Sequence, residues 1–139
     1  MAELNLEITT PEKIVYSGNA KSVTVPGTKG GFEVLVNHAP ILSTLEIGSI
    51  KIVTEDVTKY CTTSGGTIEV VNNKILILSD AVEMIDDIDI ERVKSAKERA
   101  EKRLSEKGNK EIDKERALAA KKRAENRLKV AELHLKTKV

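Results

Sequence analysis

Residues 67–78, "TIEVVNNKILIL", set two short runs of β-branched and aliphatic residues on either side of Asn72–Asn73. A two-residue hairpin loop needs positive φ, which asparagine tolerates, so the pair predicts a tight turn between strands at 67–71 and 74–78. The same signal repeats toward the N-terminus. Runs rich in Val, Ile and Thr occupy 4–10, 13–18, 21–27, 32–36, 48–53 and 58–63, punctuated by Gly27, Gly30–Gly31 and Gly65–Gly66. Short strands at a spacing of about 8–12 residues, with no helical pattern between them, predict an antiparallel sandwich or barrel rather than a parallel sheet.

Toward the C-terminus the period changes at Asp89. On a helical wheel of about 100° per residue, Ile90, Val93, Ala96, Ala100 and Leu104 share one face. A second stripe holds Ala117, Ala120, Ala124, Leu128, Ala131 and Leu135. Between them "KGNKEID" (107–113) offers Gly108–Asn109 as a C-cap and Asp113 near the next helix start. The fold class is therefore α+β: an N-terminal antiparallel β-sandwich over 1–86, then an antiparallel two-helix hairpin over 87–139. Alanine lets two backbones approach closely but buries little apolar area, so the seam is weak and the hairpin able to open.

Composition narrows the function. A chain of 139 residues holds one moderate core and an appendage, not two large domains. The single Cys61 excludes a disulfide framework and a thiolate zinc cage and points to a reducing, intracellular setting. No basic-then-apolar leader opens the sequence and no run of about 18 apolar residues occurs, so any membrane contact is expected to be indirect. Net charge is +1, yet residues 1–90 hold six Lys+Arg against thirteen Asp+Glu, whereas 91–139 hold seventeen against nine. An acidic module thus precedes a basic one, and the two are expected to meet different partners.

Catalytic motifs are missing. "PGTKGG" (26–31) fits neither phosphate-binding glycine pattern and reads as a hairpin loop. His38 and His134 lie far apart with no second cysteine, so no His/Cys metal site is expected. "EMIDDIDIE" (83–91) reads as a linker in which Asp87 or Asp89 caps a helix. The basic segment carries no aromatic residue for base stacking, so nucleic acid is not an expected partner. Two readings remain open for the arginines. Arg92, Arg99 and Arg103 border the first helical stripe, and Arg116, Arg123 and Arg127 border the second. Either they form a solvated face paired with glutamates, or the folded hairpin gathers guanidinium forks suited to a polyphosphate.

One stretch still asks for a reason: "VNHAPILSTLEIGSIKI" (36–52) places His38 and Pro40 between strands. Together with the preceding turn, "GGFEVLVNHAPILSTLEIGSIKI" (30–52) resembles the epsilon-subunit signature of F-type ATP synthases. "TPEKIVYSG" (10–18) resembles that family's opening hairpin, "SGGTIEVVNNKILILSDAVE" (64–83) its sandwich end, and "DIDIERVKSAKERAEKRL" (87–104) its first helix. The resemblance covers essentially the whole chain, in order. It implies a non-catalytic rotor subunit of a proton-translocating synthase, joined to the gamma subunit and the c-subunit ring, at the cytoplasmic face of a bacterial membrane.

On that resemblance His38–Ala39–Pro40 is a stiff loop facing the c ring, with Glu33, His38 and Pro40 as contacts, since proline fixes its own φ and restricts its neighbour. A plainer role for His38, satisfying backbone groups within a turn, stands beside it. Asn37 occupies a position where many relatives have glycine. The hairpin is expected to extend toward the alpha and beta subunits and to brake ATP hydrolysis. Some relatives bind regulatory ATP through Ile/Leu-Asp-x-x-Arg-Ala; here Ile88, Asp89 and Arg92 match and Val93 replaces the alanine. The implied nucleotide set is Glu83, Ile88, Asp89, Arg92, Arg99, Arg123 and Arg127, with no cofactor otherwise required. The rivals are a rotor subunit that binds no nucleotide and a β-sandwich adaptor for an unrelated acidic partner.

Overall fold

The computed structural model describes residues 3–106 and 111–135 of the chain. The chain divides into two compact units, Met1–Met84 and Ile85–Val139.

Among the described residues the first unit holds ten strands. They are β1 (Leu4–Thr9), β2 (Ile14–Ala20), β3 (Ser22–Val25), β4 (Phe32–Leu35), β5 (Ile41–Leu45), β6 (Gly48–Val53), β7 (Thr58–Thr63), β8 (Gly66–Val71), β9 (Lys74–Leu78) and β10 (Val82–Met84). Two five-stranded sheets result, in the orders β2-β1-β9-β8-β5 and β10-β7-β6-β3-β4. Alternation along the strands drives one face of each inward. Leu4, Leu6 and Ile8 of β1, Ile68 and Val70 of β8, and Ile75 and Ile77 of β9 meet Val23, Val25, Val34, Ile50, Ile52 and Cys61 of the other sheet. Burial pushes the Cys61 thiol up to about 12 from its ordinary value of 9.0.

The Asn72–Asn73 turn forms as its sequence predicts, with φ of 49° and 63°. Loop 26–31 joins the antiparallel pair β3–β4, so "PGTKGG" is the expected hairpin loop. Its Gly27 also bridges Leu45 of the opposite sheet, tying one corner of the sandwich. Glycine is required there, because an added Cβ would stand 2.6 Å from the carbonyl oxygen of Gly30.

Three features depart from the sequence reading. No strand was expected at 41–45, yet β5 forms there, pairing with β8 from Ile41↔Val70 to Leu45↔Gly66. A short strand β10 occupies part of the stretch read as a linker, pairing with β7. One pair is parallel: β1 lies against β9, Asn5↔Lys74 through Thr9↔Leu78. A parallel neighbour does not require a crossover helix when the chain returns through several intervening strands.

The second unit opens with a 3-10 turn, Ile85–Asp87, and continues into α1 (Ile90–Ser105) and α2 (Glu111–Leu135). Asp89 is the N-cap of α1, its carboxylate accepting from the Arg92 amide at 3.1 Å. The cap expected at Gly108–Asn109 lies outside the described residues, and Asp113 lies near the start of α2, within its first turn. Buried positions are Val93 and Ala100 on α1 and Ala117, Ala124, Val130 and Ala131 on α2. The alanine stripe is the seam, with Val130 added beside it. Among the described residues no helix is long and apolar enough to cross a membrane.

Candidate functional site

The His38 corner is assembled from the ends of two strands. β4 delivers Glu33 to the surface opposite Thr24, and the chain then turns back at Asn37, whose φ is 67°. The His38 amide donates to the Leu35 carbonyl at 3.2 Å and closes this turn. The imidazole Nδ1 lies 2.6 Å from the Ala39 carbonyl oxygen. A carbonyl only accepts, so the geometry places the proton on Nδ1. The ring lies 6.5 Å from that of Phe32, centroid to centroid. Pro40 is exposed and stands immediately before β5, where its missing N–H costs no ladder hydrogen bond. His38 does satisfy a local backbone group, as its plainer reading expected, while Glu33 and Pro40 face solvent.

A partner of this corner escaped the sequence reading. The Asn37 amide donates to Asn73 Oδ1 at 2.6 Å, and Asn73 Nδ2 donates to Asn37 Oδ1 at 3.3 Å. Two residues 36 apart in sequence carry no periodic signal linking them. Asn73 was read as a turn position from its tolerance of positive φ, whereas Asn37 was marked only as standing where many relatives have glycine.

In the helical unit, Ile88 and Val93 bury against Ala124 and Ala131, with Ile90 and Leu128 packed alongside. Ile88 is thus a seam residue. The extra bulk of Val93 over alanine goes into the seam as well. Asp89 spends one carboxylate oxygen on the helix cap. Arg92, Arg99 and Arg123 are exposed, whereas Arg127 is half-buried. Glu83 lies half-buried on β10, opposite Thr62, in the first unit. A cleft of about 520 Å³ between α1 and α2 is lined by Lys97, Glu125, Leu128, Lys129, Glu132 and Leu133. None of the seven expected nucleotide residues lines it. Among the described residues no three His, Cys, Asp or Glu side chains come together as a group that could hold a metal ion.

Two domain models match end to end: the ATP synthase delta/epsilon chain beta-sandwich domain over residues 3–85, and the long alpha-helix domain of the same chain over 86–132. The chain belongs to the ATP synthase delta/epsilon family. Its similarity to individual members is high. It is 43% identical over 108 residues to the ATP synthase epsilon chain of Brevibacillus brevis, covering 77% of this chain and 82% of that one. It is 45% identical over 103 residues to the ATP synthase epsilon chain of Nitratidesulfovibrio vulgaris, covering 74% and 77%.

The delta/epsilon fold also recurs among solved structures. A chain of the Euglena gracilis mitochondrial ATP synthase, in an OSCP/F1/c-ring structure, superposes with a TM-score of 0.78 at 20% identity, covering 96% of this chain and 83% of that one. A chain of the Tetrahymena thermophila mitochondrial ATP synthase central stalk and c ring gives 0.60 at 18% identity, covering 94% and 97%. At such identities the likeness is one of fold.

Proposed function

We propose that this chain is the non-catalytic rotor subunit of a proton-translocating F-type ATP synthase, peripheral at the cytoplasmic face of a bacterial membrane. The β-sandwich joins the gamma subunit and rests on the c-subunit ring through Glu33, His38 and Pro40. The basic hairpin reaches the alpha and beta subunits and brakes ATP hydrolysis. The single observation that carries this reading is the unbroken family match from residue 3 to residue 132. A lone sandwich would fit many adaptors, but the ordered pair of domains does not.

Two features support the regulatory half. The basic excess lies in the helical segment, where it would be drawn to an acidic partner surface. The seam is mostly alanine, so folded and opened hairpins would differ by only a few kcal/mol. ATP held by the folded hairpin through Arg92, Arg99, Arg123 and Arg127, with Asp89 orienting it and Ile88 completing the motif, would favour that state by RT ln(1 + [L]/Kd). The exposed guanidiniums of Arg92, Arg99 and Arg123 supply the anion-binding chemistry this requires.

The test is reconstitution. A gamma–c-ring complex stripped of its own epsilon chain should retain this protein through gel filtration, and a Glu33→Lys, His38→Ala double variant should be retained less. Failure of the parent chain to bind a complex from the same organism would overturn the rotor assignment.

A further inference from the structure

The geometry points to a positioning device: the amide groups of Asn37 and Asn73 lock the His38–Ala39–Pro40 corner to the β8–β9 turn and so hold its docking face in one place. This rests on the docking role proposed above for the corner.

Asn37 follows β4 in one sheet, and Asn73 belongs to the hairpin of the other. Their hydrogen bonds of 2.6 and 3.3 Å therefore join the two sheets at one end of the sandwich. The Asn73 side is anchored. Its carbonyl accepts from the Asn5 amide at 2.8 Å, and its backbone is held in the left-handed region by the turn. The Asn37 side is where order is needed. Residues 36–40 belong to no strand, and the hydrogen bonds of His38, from its amide to Leu35 and between Nδ1 and Ala39, are both local.

The left-handed conformation explains why an amide serves here. Glycine would satisfy positive φ at either position at lower backbone cost, but it has no side chain with which to reach the other loop. Asparagine tolerates the same conformation and carries a donor and an acceptor. Asn73 Oδ1 takes the backbone N–H of Asn37, a donor that would otherwise be left to water. Proline then extends the constraint, since Pro40 restricts Ala39 as well as itself. A docking loop so fixed loses less conformational entropy when it meets a partner.

Asn73→Gly removes both bonds while keeping a residue suited to the turn, and Asn73→Asp keeps the acceptor for the Asn37 amide. Native-state hydrogen exchange on the full chain should show the Asn37 amide exchanging about fivefold faster in Asn73→Gly, the size of one net hydrogen bond. Amides of β6 and β8 should keep the parent rate, and Asn73→Asp should restore much of the protection. Affinity for the epsilon-stripped gamma–c-ring complex should fall in step and recover with Asp. Unchanged exchange at Asn37 in Asn73→Gly would overturn the lock. Faster exchange with unchanged affinity would keep the lock and overturn the docking role of the corner. Loss of protection throughout the sandwich would overturn a local positioning role, because it would make Asn73 a residue of general stability.

Discussion

The sandwich and the hairpin solve the same problem with different materials. Between its sheets the sandwich buries Leu, Ile and Val side chains such as Leu4, Leu6, Ile50, Ile52, Ile68 and Ile77, all with no residual exposure. At roughly 1.5–3 kcal/mol for each large aliphatic side chain fully buried, that core resists local opening. The helices meet instead over Ala100, Ala117, Ala124 and Ala131, with Val93 as a larger, fully buried member. Each alanine contributes far less apolar area, so helix association is marginal by comparison. The contrast separates a unit that must keep its shape from one whose proposed role requires it to change.

The largest expected effect comes from attacking the stronger side. Ile77→Ala should cost about 2–5 kcal/mol in urea denaturation, through lost burial and the cavity left behind. A smaller loss would mean the sandwich core is not the rigid element. Rising pH should weaken the same unit. Above 9.0 an unfolded Cys61 releases its proton while the folded thiol keeps it, up to about 12. The folded state then binds more protons, so stability should fall across that window and flatten in Cys61→Ala.

On the helical side, Ala124→Leu forces a larger side chain into the tight seam and should destabilise the helices by about 1–3 kcal/mol. The loss should appear as an earlier helical transition by circular dichroism, with sandwich amides still protected. Simultaneous loss of both signals would break the separation between the units. Asp89→Ala removes the cap of α1 and should cost about 1 kcal/mol, with Asp89→Ser recovering most of it. The smallest effect should come from the surface pairs Lys97–Glu101 and Lys121–Glu125, at 3.9 and 3.8 Å. Lys97→Gln should change stability by no more than about 0.5 kcal/mol, and less in high salt.

Much of this contrast was legible in the sequence, because each unit writes its own period. The runs at 48–53, 58–63 and 74–78 became β6, β7 and β9 with those bounds. Ala117, Ala124 and Ala131 fell on the buried face that their spacing of seven implies. What was lost shares a physical cause, namely that it depends on distant neighbours. β5 follows the proline and carries Leu42 at 76% exposure, so its alternation does not read as half-buried. β10 spans three residues, too few to establish a period. The parallel β1–β9 pairing and the Asn37–Asn73 bonds join segments separated by many residues.

At the candidate site the types of residue were legible but their surroundings were not. A helix cap was expected at Asp87 or Asp89 and Asp89 is the one, while Ile88, expected in the nucleotide set, is buried in the seam. The arginines of the hairpin were placed on the wheel correctly enough to leave Arg92, Arg99 and Arg123 exposed. Nothing in their spacing indicated that Lys97 and Lys129, with Glu125 and Glu132, would line the cleft between the helices.

The most direct test of a rigid dock joined to an openable brake is ATP hydrolysis by an epsilon-free alpha–beta–gamma complex from the same organism. The full-length chain and a chain ended at Met84 would each be added at low and high ATP. Binding by both, inhibition by the full-length chain alone, and relief of that inhibition at high ATP are the expected results. Equal inhibition by the two chains would contradict a braking role for the hairpin, and binding by neither would contradict the rotor assignment.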